Sequence, residues 1–139
     1  MSNNLFAFLR KGDVPNRAQW QEAIDAAGYS LELNPDLRPF EDSGFLPCRL
    51  LGHDAGFEIA YGTATELAGE VWRELAPEHA DHCVTFRWGS SMTEGASASI
   101  AAYALAARFE ATVSYECEEP LSLEDQAAEI EEFLAEIRG

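Results

Sequence analysis

Lysine is all but missing from this chain. Lys11 stands alone, and every other basic residue is an arginine. Against 9 basic residues stand 25 acidic ones, a formal net charge of −16 at pH 7. Such a surplus repels phosphate backbones and anionic lipid, which argues against nucleic acid and membrane as direct partners and favours a cationic one. Solubility is the plainer account of the same charge. Long hydrophobic runs are missing too: no stretch approaches the roughly 18 apolar residues of a membrane span. The opening MSNNLFAFLRKG has an apolar run of only about five residues, with its basic residues after it, the reverse of a secretory signal. Cysteine is scarce. Cys48, Cys83 and Cys117 form no CxxC pair, and an odd count makes a poor disulfide framework. Free thiols in strands suit a reducing, cytoplasmic setting. No GxSxG, GxGxxG or GK[ST] is present, so the expected cofactor set is empty. Arginine in place of lysine, with abundant alanine, is the coding bias of a GC-rich bacterium.

What is present is a globular composition of one-domain length: 139 residues, 47% hydrophobic and 11% aromatic. LFAFLR reads as a first strand. Asn16, with Gln19 three residues on, forms a capping box for a helix whose Trp20, Ala23, Ile24 and Ala27 make one apolar stripe, ended by Gly28. YSLEL alternates with period 2. NPDLRPFEDS is an acidic surface loop. FLPCRLL and GFEIAYG read as antiparallel partners around GHDAG, with Pro47 marking an edge strand or a bulge. Thr63 and Glu66 open a second helix, expected to run to about Ala76, where Pro77 stops it. HCVTFRW is a strand. Ser91 and Glu94 open a helix over roughly Met92 to Phe109, so rich in small residues that it belongs at the centre of the fold. ATVSYEC is the last strand. Ser122 caps a final helix with a Leu123, Ala127, Ile130, Leu134, Ile137 stripe and an opposite face of carboxylates.

This order predicts a single two-layer α+β domain over residues 1–139: a mixed β-sheet of about five strands, with helices mainly on one face. The closing strand–helix–strand alternation has the form of crossover units. Glu58, Thr85, Arg87, Thr112, Ser114 and Glu116 are the polar members of their strands and would share the open face. Glu58 and Glu116 flanking Arg87 in a solvated ion pair is the bland account; a recognition surface is the functional one.

Chemistry-bearing clusters are sparse. HADHC (His79, Asp81, His82, Cys83) has zinc-binding residue types but lacks the second pair a structural site requires, so no metal site is expected. His53–Asp54 in a turn, together with Gly89–Ser91 leading into a helix, would serve a small ligand or a minor enzyme only if they met in one pocket.

The arrangement FLRKGDVPNRAQWQEAIDAAGYSLEL, followed by SGFLPCRL, GFE and FRWG, in a small acidic α+β chain without a catalytic constellation, resembles the immunity proteins of bacterial toxin–immunity systems. The resemblance implies a cytoplasmic protein, monomeric or homodimeric, that neutralises a basic protein partner such as a toxic nuclease. It carries no family functional residue over. The expected partner-binding residues come from the acidic loops and the sheet: Asp36, Glu41, Asp42, Asp54, Glu58, Glu116, Glu118 and Glu119. The acidic face of the last helix is the competing location. An assembly module pairing through an exposed edge strand is a further reading.

Overall fold

In the computed structural model, which describes residues 2–39 and 41–138, six strands form one sheet in the order β2-β3-β4-β5-β1-β6. The strands are β1 (Asn3–Leu9), β2 (Leu31–Glu32), β3 (Gly44–Leu50), β4 (His53–Thr63), β5 (His82–Trp88) and β6 (Thr112–Tyr115). The helices are α1 (Arg17–Ala26), α2 (Ala64–Ala68), α3 (Trp72–Leu75), α4 (Met92–Phe109) and α5 (Leu123–Arg138). The α+β domain is as expected, but the sheet is not mixed: every neighbouring pair is antiparallel. The chain from β4 to β5 returns to the adjacent strand and is no crossover. The β5–α4–β6 passage does join two strands of the same direction, yet β1 lies between them and is antiparallel to both.

Alternation along the strands decides what each face holds. Leu5, Ala7 and Leu9 of β1, Phe57 and Ile59 of β4, and Val84, Phe86 and Trp88 of β5 enter the main core with α1 and α4. Phe57 and Trp20 each meet Phe86 edge-on, with ring centroids 5.5 and 6.1 Å away. The Trp20 indole N–H donates to the Ala101 carbonyl at 3.0 Å, tying α1 to α4. Helix α4 is buried from Gly95 through Ala102 because alanine, serine and glycine let strands and helices approach it from several sides.

The opposite face is half covered. Phe8 and Cys83 pack there with Ala64 and Trp72 of the short α2 and α3. These two replace the single helix expected to Ala76. Gly69 adopts φ 75°, which breaks the α-helical path between them. The uncovered half carries Phe45, 59% exposed, whose ring lies across Gly56 on β4. Pro47 is tolerated because the two-residue β2 pairs only with Arg49 and Leu50, leaving Pro47 without a strand partner on that side among the described residues.

Two expectations near the C-terminus change. Strand β6 ends at Tyr115, since Glu116 and Cys117 both take left-handed conformations (φ 54° and 60°); Glu116 is therefore not part of the alternating face. On α5 the residue facing inward in the first turn is Gln126, while Leu123 is 45% exposed. Ile130 and Leu134 hold α5 to α4, and Phe133 meets Trp88 edge-on at 6.4 Å.

Candidate functional site

The eight acidic residues singled out from the sequence do not converge. Asp36, Glu41 and Asp42 lie in the loop between β2 and β3, and Asp54 near the start of β4, all toward the β2 end of the sheet. Glu118 and Glu119 follow β6, at the opposite edge, with Glu116 beside them. Glu58 stands between, on the open face of β4.

Their partners separate them further. Asp42 accepts from the Arg38 guanidinium at 3.0 Å and from its backbone N–H at 2.8 Å, and this hydrogen bonding holds its carboxyl below the usual carboxylate range. Asp54 pairs with Arg49 at 3.2 Å. Glu58 lies directly opposite Arg87 in the β4–β5 register, with the charged groups 3.8 Å apart and both side chains 57% exposed. That is a solvated cross-strand pair, worth under about 1 kcal/mol. Glu116 does not flank Arg87; its carboxylate accepts from the Asn4 backbone N–H at 2.7 Å and from the Asn4 amide at 3.3 Å. In each case a local donor already engages the acid.

Beyond β6 the balance changes. Glu118, Glu119, Glu124, Asp125, Glu129, Glu131, Glu132 and Glu136 follow one another with Arg138 as the only basic residue in that stretch, and all eight are exposed. None makes an ion pair among the described residues. Local structure fixes them in place. Ser122 Oγ caps α5 by accepting from the Asp125 N–H at 3.0 Å, and the Ser114 hydroxyl donates to the Glu118 carbonyl across the turn. Nearby hydroxyls register the field. Burial, then the charges of Glu116, Glu118 and Glu129, push the Tyr115 phenol up; burial, then Tyr103 and Glu131, do the same for Tyr29.

The other clusters stay apart. His53 and Asp54 are exposed at one end of β4, and Ser90 and Ser91 are exposed after β5; neither group lines the cavity at the β6 edge or the four shallower clefts around the described residues. Ser91 Oγ accepts from the Glu94 N–H at 3.2 Å, which accounts for it as a helix cap. In HADHC, alternation sends His82 and Cys83 to opposite faces of β5, and His82 Nδ1 sits 3.0 Å from Asp81. No group of three His, Cys, Asp or Glu among the described residues is placed to hold a metal ion. Burial pushes the Cys48 thiol up to about 11 and the Cys83 thiol higher still, so neither is poised as a nucleophile. Among the described residues no helix is long and apolar enough to cross a membrane.

Sequence reasoning passed over Gln126, a polar residue in the apolar register of α5. A glutamine four residues before Ile130 and eight before Leu134 was the available signal. No protein-family model matches the chain, and searches of curated proteins and of solved structures find no match either.

Proposed function

We propose that the protein binds and neutralises a cationic protein partner, as an immunity protein blocks its cognate bacterial toxin, with a basic nuclease the best-fitting target. The observation that carries this reading is the acidic face running from Glu118 through α5 to Glu136. Among the described residues its eight carboxylates have no ion-pair partners, whereas Asp42, Asp54 and Glu58 already face arginines. Like charges held along one helix repel one another, so they weaken the fold unless a partner's cations neutralise them. Mounted on a packed helix, they form a rigid negative surface that steers a basic partner and competes with the phosphates such a partner would otherwise bind. The contact therefore belongs on α5 and the turn before it rather than on the β2–β3 loop.

Association kinetics with the captured partner test this. The on-rate is expected to fall at least about tenfold between low and high salt. Replacing Glu118 and Glu119 by lysine should slow association while leaving the melting temperature nearly unchanged. A rate indifferent to salt, or equal loss from charge reversal at Asp36 and Glu41 alone, would refute it.

A further inference from the structure

At the β6 edge a cavity of about 240 Å³ lies between the inner sheet face and helices α4 and α5. Its buried walls are mostly apolar, Leu5, Trp88 and Val113 with half-buried Leu121 beside them, and the buried polar residues Ser99 and Gln126 complete them. For scale, an apolar cavity of about 150 Å³ takes a benzene ring. The space here accepts one aromatic ring with a short tail.

Acceptors are prominent among the polar groups around it. Gln126, 6% exposed, uses its amide nitrogen to donate to the Leu121 carbonyl at 3.2 Å, while its Oε1 is buried and accepts nothing. The Tyr115 hydroxyl donates to Asn3 Oδ1 at 2.7 Å, leaving its lone pairs open. Glu118 and Glu129, both exposed, line the mouth as carboxylates. Among the described residues no basic side chain lines the cavity; the Trp88 indole N–H and the Ser99 hydroxyl are neutral donors, and the only charged groups on it are the two carboxylates. An apolar chamber with an unpaired buried acceptor, whose only charges are carboxylates at its mouth, selects a ligand that is apolar at one end and a charged donor at the other. The geometry points to a binding site for a small amphipathic amine of the arylalkylammonium class, its ring among Leu5, Trp88 and Val113 and its ammonium at Glu118 and Glu129. This site does not depend on the protein partner proposed above.

The test is a methyl-region NMR titration of the intact chain with 2-phenylethylamine, 2-phenylethanol and 3-phenylpropionate. The amine is expected to shift the methyl signals of Leu5, Val113 and Leu121 and to bind about tenfold more tightly than the carboxylate at low salt. Glu118→Gln with Glu129→Gln should bring the amine down to the affinity of the alcohol. Ser99→Leu, which fills the chamber, should abolish the shifts. Should that variant fail to fold, Gln126→Leu, which removes the unpaired acceptor, should weaken the amine. Absence of shifts with all three probes, or equal binding of amine and carboxylate, would overturn the proposal, as would amine shifts confined to the outer face of α5.

Discussion

Gly95→Ala tests how α5 is held against the body of the fold. On an exposed helix this change stabilises by about 1 kcal/mol through backbone entropy alone. Here a β-carbon would lie 2.7 and 2.9 Å from Phe133 ring atoms and 2.8 Å from the Trp88 indole nitrogen. Comfortable carbon contacts begin near about 3.5 Å. Trp88 is 7% exposed and wedged in the core, so it cannot retreat. Phe133 is half-buried and can swing outward, at the loss of an edge-on ring contact worth about 0.5–1.5 kcal/mol. Overpacking of this kind costs about 1–3 kcal/mol. Against the helix gain, the net expectation is a destabilisation of about 1 kcal/mol, or about 4 °C in melting temperature for a domain of this size. Urea denaturation of four proteins checks it: native, Gly95→Ala, Phe133→Leu and the double variant. In the Phe133→Leu background the cost of the alanine should fall by more than about 0.5 kcal/mol, leaving only its contact with Trp88. A Gly95→Ala protein more stable than native, with no coupling to Phe133, would refute the close packing of α4 on α5.

Other outcomes follow from the same structure. Trp20→Phe should cost about 1–2 kcal/mol, because it leaves the buried Ala101 carbonyl without its indole donor; denaturant melts measure this. Thiol titration with a disulfide reagent at pH 8 should find Cys48 and Cys83 protected until the protein unfolds. Cys117, only half-buried though also raised by burial and Glu116, should react first. The Glu66 carboxyl is held low by hydrogen bonds from Thr63. Its stabilisation is therefore present above the ordinary carboxylate range and disappears as pH falls through its lowered value. Glu66→Ala should melt lower than native at pH 7 and alike in strong acid. Finally, added sodium chloride should raise the native melting temperature by screening the charges of α5, and should raise it less once those carboxylates are neutralised.

Much of the fold was legible because local signals agreed with the tertiary structure. The Asn16–Gln19 capping box, the Gly28 stop and the alanine-rich α4 all appear where the pattern places them. Strand direction was less legible. An antiparallel sheet with β1 inserted between β5 and β6 yields the same strand–helix–strand string as a parallel one. The break between α2 and α3 rests on one glycine, which a helical pattern tolerates on paper. The end of β6 rests on left-handed Glu116 and Cys117, residue types that give no warning of positive φ. The acidic content of the site was plain in the composition, but which carboxylates have arginine partners is a tertiary fact. Asp54 and Glu58 met their arginines only through strand register.

The most direct test of the central claim is a two-bait capture from the native host. One bait is the native chain; the other carries glutamine or asparagine at Glu124, Asp125, Glu129, Glu131, Glu132 and Glu136. The account predicts a basic protein retained by the native bait at low salt, released at high salt, lost from the neutralised bait, and toxic when produced alone. Retention of the same protein by both baits at high salt, or no capture by the native chain, would contradict it.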